Sequence, residues 1–161
     1  RCPVFIYILR NIMQSNSPHI TMVLKILQDE VDGNTKSALS VMGEKYSQTW
    51  MYQVKDGTVF PSDNSTSEDS MEEIYRIKGR EYHIYNLTES ENTVMVECVE
   101  QYPDEKTGQL YRTPQVLIIE FKDEKIIRGR HYGDPRLSYM NLTDDMLRTA
   151  YRDEKPILII K

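Results

Sequence analysis

The stretch FKDEKIIRGRHYGDP, residues 121–135, combines the end of an apolar segment, a charged turn and a polar segment. Asp123 and Glu124 stand at the turn, between two segments that both read as strands. A turn this short joins neighbouring strands directly. Residues 110–122 and 125–132 are therefore predicted to pair antiparallel.

The strand pattern extends upstream as far as Gly79, where the apolar period changes from about four residues to two. A period of two is typical of a strand with one buried face. Strands are therefore predicted over residues 81–87 and 93–101 as well. Because Asn92 and residues 106–108 lie in short turns, we expect the four strands to form an antiparallel meander.

The first part of the chain has a helical period instead. Ser17 suits an N-cap and Pro18 the first helical position. Apolar residues then recur at three- and four-residue spacing up to Val31, which predicts a helix. Two further helices are predicted, over residues 36–46 and from Ser67 or Asp69 to Gly79.

The segments between and after these elements complete the pattern. Residues 49–54 are aromatic and β-branched, which predicts a strand, and residues 56–57 predict a turn after it. The polar residues 61–67 predict a loop. A short helix over residues 144–151 and a strand over residues 156–160 are predicted near the end of the chain.

Helices that precede an antiparallel run predict an α+β domain with the helices packed on one face of the sheet. A chain of 161 residues has the size of one domain. We interpret residues 17–161 as that domain, extended at its C-terminus by the short helix and strand. Residues 1–16 are interpreted as an N-terminal extension. Its apolar part is either an extra strand or helix packed on the domain or an upstream segment, because Met13 followed by polar residues would make a normal start.

The composition disfavours several function classes. The net charge of −5 argues against a general nucleic-acid binder, which needs an excess of Lys and Arg. No apolar run approaches the roughly 20 residues of a membrane-spanning helix, and no convincing signal peptide is present. Neither a metal-ligand spacing nor a common nucleotide-binding motif occurs. We therefore expect a cytoplasmic protein without cofactor or metal, which binds neither nucleic acid nor membrane.

Residues 121–135 resemble the corresponding part of SnoaL-like proteins, with an apolar strand, a charged turn and a closing aromatic-x-Asp. The run from Ala38 through Tyr46 to Trp50 is similar to the second helix and first strand of that family. Between residues 17 and 134 the order of elements resembles the SnoaL-like branch of the nuclear-transport-factor-two-like superfamily.

The resemblance implies a cone-shaped fold, in which a strongly curved antiparallel sheet wraps around the helices and leaves a pocket at its open end. It also implies a homodimer through the sheet. Members include polyketide cyclases, ketosteroid isomerase, scytalone dehydratase and limonene epoxide hydrolase, while others are binding or assembly modules. The catalytic patterns do not transfer intact: residues 95–97 lack the arginine of the epoxide hydrolases, and Asp134 alone matches.

The candidate catalytic residues are His131 and Asp134. A histidine and a carboxylate in one apolar pocket could share acid and base roles, because burial moves their pKa values towards neutrality. Alternation along a regular strand places Arg130, Tyr132 and Asp134 on one face and His131 on the other. The pair would meet only if the strand bends or ends near Gly133. The alternatives are an interface histidine and a turn aspartate.

The candidate ligand-binding residues are Trp50, Tyr52, Glu97 and Tyr132. Trp50 and Tyr52 share one face of their strand and offer a wide aromatic contact to a flat apolar ligand. Ordinary core packing is the alternative for these two and for Tyr132. Glu97 lies within an apolar strand, where a carboxylate is either solvent-facing or functional.

Glu120 interrupts its strand in the same way as Glu97. Arg128 and Arg130 on the next strand are natural partners for it. We therefore interpret Glu120 mainly as part of a ladder of ion pairs across the strands.

Three functions are compatible with these patterns. The first is the binding of a small apolar molecule, carrying a carbonyl or hydroxyl, in the cone pocket. The second is a cofactor-independent acid–base enzyme of the same fold, acting as an isomerase, cyclase or dehydratase. The third is a homodimeric protein-interaction module, in which side chains fill the pocket and the sheet face docks a partner.

Overall fold

The protein consists of a curved sheet with helices packed on one of its faces. The computed structural model describes residues 17–65, 68–134, 136–137 and 140–161, so the extension predicted for residues 1–16 lies outside it. The helices are α1 (Pro18–Asp32), α2 (Thr35–Val41), α3 (Glu68–Tyr75) and α4 (Asp144–Ala150). The strands are β1 (Met42–Lys55), β2 (Thr58–Ser65), β3 (Glu81–Ser90), β4 (Thr93–Pro103), β5 (Leu110–Lys122), β6 (Lys125–Tyr132) and β7 (Leu158–Ile160).

The strands of the described residues form one open sheet in the order β2-β1-β6-β5-β4-β3-β7. Strands β3 to β6 pair antiparallel in sequence order, as their short turns predict. Strand β1 runs parallel to β6, so the sheet is mixed and not wholly antiparallel. The predicted last strand is confirmed, because β7 pairs antiparallel with β3. The prediction of an α+β fold with a curved sheet around the helices is confirmed.

Helix α1 has the predicted boundaries. The Ser17 hydroxyl oxygen accepts a hydrogen bond from the Ile20 amide at 3.2 Å, and Pro18 occupies the first turn. The helix ends at Gly33. Val23 and Leu27 are buried against the sheet. The cap and the apolar stripe, both local in sequence, therefore determine this helix together.

Helix α2 is shorter than predicted. It ends at Val41, and Met42 begins β1, so the helix expected over residues 36–46 is wrong beyond residue 41. Met42 pairs with Ile126 of β6. Apolar spacing alone suits either state in so short a segment. The hydrogen bonds offered by β6 make the extended state the better one.

Strand β2 occupies most of the segment that was predicted to be a loop. Asp56 and Gly57 have φ of 50° and 75°, the positive values of a two-residue hairpin turn. The chain after them pairs with β1 as far as Ser65. Its residues are polar because β2 lies at the edge of the sheet, where one side faces solvent. Polarity therefore gave a wrong prediction for residues 61–65.

The apolar core lies between α1 and the helix-facing side of the sheet. Val94, Val96 and Cys98 of β4 alternate into it and are fully buried. On β5, the side chains of Leu117 and Phe121 are also buried in this core. This packing confirms that α1 lies on the predicted face of the sheet. No helix in the described ranges combines the length and the apolar character needed to cross a membrane.

Candidate functional site

A cavity of about 280 Å³ lies between the helices and the sheet. Apolar side chains of α1 and α3 form part of its wall, and residues of strands β1, β3, β4, β5 and β6 and of the segments beside them form the rest. The wall contains five aromatic residues, namely Tyr46, Trp50, Tyr75, Tyr82 and Tyr102. It also contains three charged residues, namely Glu30, Arg80 and Glu100.

Trp50 and His131 form one part of this wall. They are register partners on the parallel strands β1 and β6, and their ring centroids lie 4.3 Å apart at an angle of 34°. The pairing of β1 with β6 therefore brings together two residues that are distant in sequence. Together the rings offer a flat apolar surface to a bound molecule.

The protonation of His131 follows from its contacts. The Gln48 amide nitrogen lies 2.9 Å from His131 Nε2. The Gln48 side-chain amide and this ring nitrogen therefore form a hydrogen bond between β1 and β6. Nδ1 is buried without a hydrogen-bond partner among the described residues. Burial lowers the pKa of His131 to about 4, so the ring is neutral at physiological pH.

Arg80 lies between two carboxylates in another part of the wall. Its side chain is buried, with the residue 3% exposed, and it forms ion pairs with Glu30 of α1 and Glu100 of β4. The Nε–Oε1 distance to Glu100 is 3.2 Å. The Gln115 amide donates to the other Glu100 oxygen at 3.1 Å. The guanidinium carbon also lies 5.5 Å from the ring centroid of Tyr102.

Gly79 explains how the chain reaches this position. It has a φ of 72°, and a Cβ atom there would lie 3.1 Å from the Pro103 ring. Only glycine combines that backbone conformation with so close an approach. The chain can therefore turn from α3 into β3 in a few residues, which places Arg80 directly before the strand.

Burial controls the ionisation of the wall. It raises the pKa of Glu100, while the Arg80 charge and the Gln115 hydrogen bond act in the opposite direction. Burial also raises the pKa of Tyr46 to about 12 and that of Tyr82 well above its ordinary value. The tyrosine rings of the wall are therefore neutral phenols at physiological pH.

Two of the six predicted site residues, Trp50 and His131, line the cavity. Tyr52 is 44% exposed, beyond an irregularity in the β1–β2 pairing that begins at Trp50. Asp134 lies outside the wall and accepts hydrogen bonds from the Arg136 side chain, with 2.9 Å between Arg136 Nε and Asp134 Oδ1. Arg136 holds the pKa of that carboxyl below its usual value.

Glu97 and Tyr132 also lie outside the cavity wall. Both are register partners of Val116, on the side of the sheet opposite to the cavity. Neighbouring residues at the end of β6 point to opposite faces, which separates Tyr132 from His131, and β6 does not bring His131 and Asp134 into one site.

The charged part of the wall was missed by sequence reasoning. The position of Glu100 could have been predicted from the sequence. Val96, Cys98 and Glu100 lie at two-residue spacing on β4, so all three face the helices. Glu30 likewise follows Leu27 by three residues on the buried stripe of α1. Nothing local indicates that Arg80 joins them, since their contact depends on the packing of α1 against β3 and β4.

The opposite face of the sheet carries the predicted ion pair. Arg130 Nε lies 2.8 Å from Glu120 Oε1, which confirms this pair. Arg128 instead donates from Nε to the Thr49 hydroxyl at 3.0 Å. The described part of the chain contains no group of three or more His, Cys, Asp or Glu side chains placed to hold a metal ion.

Solved structures share this architecture. An NTF2-like protein of unknown function from Cytophaga hutchinsonii ATCC 33406 matches with a TM-score of 0.57 and 15% identity, over 76% of this chain and 96% of that chain. This chain has the NTF2-like fold. A proposed SnoaL-like polyketide cyclase from Jannaschia sp. CCS1 matches with a TM-score of 0.59 and 14% identity, over 79% of this chain and 94% of that chain.

A third NTF2-like match has a bound small molecule. It is a protein with a ketosteroid isomerase-like fold from Catenulispora acidiphila DSM 44928, in complex with trimethylamine. The TM-score is 0.59 and the identity 10%, over 74% of this chain and 90% of that chain. No protein-family model and no curated protein matches the sequence. The matches establish the fold, and the function must be argued from the cavity.

Proposed function

We propose that the protein binds a small molecule with an apolar body and one polar group in the cavity of its NTF2-like fold. The observation that carries this proposal is a wall that combines the Trp50–His131 ring pair with the buried Arg80–Glu100 ion pair. Ligand sites are typically apolar concavities with a few placed polar groups. The volume of about 280 Å³ suits a ligand near the lower end of the usual size range.

One matched structure, of a protein with a ketosteroid isomerase-like fold, is in complex with trimethylamine, which supports the proposal that a fold of this kind can bind a small molecule. An interaction module with a filled pocket is less favoured, since the side chains of the described residues leave a cavity of about 280 Å³. Part of the opposite sheet face is already covered, because Tyr151 stacks on Tyr85 with centroids 3.8 Å apart. A homodimer through the remaining sheet surface stays a prediction.

Trp50 makes the binding test direct, because it is the single tryptophan of the chain and lines the cavity. A panel of small ring and branched-alkyl compounds is titrated while tryptophan fluorescence and the unfolding temperature are recorded. A ligand should change both, since binding to the folded state raises its stability. Tyr52→Leu on the same strand should retain this binding, and Trp50→Leu should weaken it. A panel without any response would contradict the proposal.

An acid–base enzyme is the second candidate, favoured by the raised pKa of Glu100. A desolvated carboxylate can remove a proton from a bound molecule, and Arg80 would hold it in place. The test is exchange of ligand hydrogens in heavy water, followed by NMR. Glu100→Gln should abolish the exchange and Glu97→Gln should retain it. Equal exchange in both variants would rule out this role for Glu100.

A further inference from the structure

The cavity wall carries more negative than positive charge. Among the described residues that line it, the acidic and basic side chains are Glu30, Arg80, Glu100 and His131. One guanidinium therefore serves two carboxylates, and His131 is neutral. An uncompensated charge away from water is costly. The cavity wall thus has a net charge of about −1 when both carboxylates are ionised.

The contacts of Arg80 leave this charge incompletely neutralised. The Nε and Nη1 atoms of Arg80 are buried beside their carboxylates but lack hydrogen-bond geometry. One positive side chain is therefore shared between two carboxylates. Because Arg80 already faces two carboxylates, an anionic ligand would have to displace one of them.

Neutral aromatic rings surround the same space. Tyr46, Trp50, Tyr75 and Tyr82 line the cavity, and burial keeps the tyrosine hydroxyls protonated. The faces of such rings carry negative potential and attract cations, most strongly where water is excluded. Arg80 over the Tyr102 ring shows this contact already formed in the wall.

We propose that the ligand of this cavity is a small organic cation, a substituted ammonium whose alkyl groups contact the rings and whose charge faces Glu100 and Glu30. The inference rests on the proposed binding function, since it names the ligand class of the same cavity. A substituted ammonium fits better than a bare one, because its alkyl groups replace the water that a primary ammonium would have to lose. A neutral ligand would leave the extra carboxylate uncompensated.

The test compares two molecules of the same shape. Choline carries a trimethylammonium group, and 3,3-dimethylbutan-1-ol has a carbon atom in place of the charged nitrogen. Binding of each is measured by Trp50 fluorescence and by calorimetry at neutral pH. We expect choline to bind at least about 10-fold more tightly, the effect of roughly one favourable charge contact. As the pH falls and the carboxylates take up protons, choline binding should weaken and alcohol binding should not.

Two matched variants of β4 locate the effect. Glu100→Gln keeps the shape of the side chain and should weaken choline binding about 10-fold, with less than about 2-fold change for the alcohol. Glu97→Gln, on the other side of the same strand, should change neither. If Glu100→Gln does not fold, Glu30→Gln and the pH titration of the unaltered protein give the same comparison.

The outcomes separate this inference from the function on which it rests. Equal binding of the two molecules, or tighter binding of the alcohol, would overturn the cation and leave cavity binding intact. Choline affinity that survives Glu100→Gln and acidification would also overturn it. If neither molecule binds and the wider panel gives no response, the proposed binding function fails as well.

Discussion

The face of the sheet that meets the helices and the face opposite to it each carry an arginine–glutamate ion pair. On the first face, Arg80 is 3% exposed and its Nε lies 3.2 Å from Glu100. On the second, the side chains of Arg130 and Glu120 are each 27% exposed and 2.8 Å apart. The two pairs have similar distances and different access to water.

Access to water decides what the two pairs do. A pair in contact with solvent contributes about 0–1 kcal/mol to stability. A buried pair contributes little in total, because desolvation offsets the attraction, but removing one partner costs about 3–5 kcal/mol. The outer pair therefore belongs to the surface of the sheet. The inner pair places two charged side chains beside the cavity. Because such a pair adds little to the stability of the fold, its position there points to ligand binding.

The largest expected difference between the two faces comes from removing Arg80. Arg80→Met should lower the free energy of unfolding by about 3–5 kcal/mol at neutral pH, because Glu30 and Glu100 lose their counter-charge. Urea unfolding of the unaltered protein and of Arg80→Met at two pH values measures this loss in the free energy of unfolding. The loss should shrink at acid pH, where the carboxylates become neutral. A loss below about 1 kcal/mol would contradict the assignment of a buried pair.

His131 makes the inner face sensitive to acid. Its pKa in the folded protein, about 4, lies below the ordinary 6.5, so the unfolded chain binds the proton more readily. Stability is therefore lost as the pH falls from 6.5 towards 4, by roughly 2 kcal/mol at about pH 4.5. Denaturant unfolding between those values measures the loss. It should disappear in His131→Gln and persist in His83→Gln, whose ring contacts Glu81. If the free energy of unfolding fell equally with pH in both variants, the assignment of the acid sensitivity to His131 would be wrong.

Gly133 tests how closely the inner wall is packed. A Cβ atom there would lie 2.7 Å from Gln115 Cβ, and Gln115 in turn bonds to Glu100. Gly133→Ala should therefore cost at least about 1 kcal/mol and weaken ligand binding. The matched control is Gly43→Ala, where the nearest atom would be 3.5 Å away. Thermal unfolding of the two variants should differ, and equal stability would contradict the tight packing.

Arg130 gives the smallest expected effect and completes the comparison. Arg130→Met removes the outer pair with Glu120 and should change the free energy of unfolding by less than about 1 kcal/mol. Urea unfolding beside Arg80→Met measures the contrast. Equal losses in the two variants would show that burial does not distinguish the faces.

Several elements were predictable because their signals are local. The Ser17 cap, the apolar stripe of α1 and the short turns of the meander each lie within a few residues of what they determine. Trp50 and His131, selected from residue type and position, both line the cavity. The candidate residues Tyr52, Glu97, Tyr132 and Asp134 lie elsewhere, because strand alternation and local hydrogen bonds direct them away.

The sequence by itself determined the α+β class, the helix-facing pattern of β4 and β5 and the antiparallel meander, because periodicity and turns are short-range properties. Only the tertiary structure decided that the second helix ends at Val41, that β1 runs parallel to β6 and that Arg80 lies between Glu30 and Glu100. Each of these depends on a partner far away in the chain. A buried charge is stable only beside a partner of opposite charge. The free backbone groups of an edge strand are stable only where solvent forms hydrogen bonds with them.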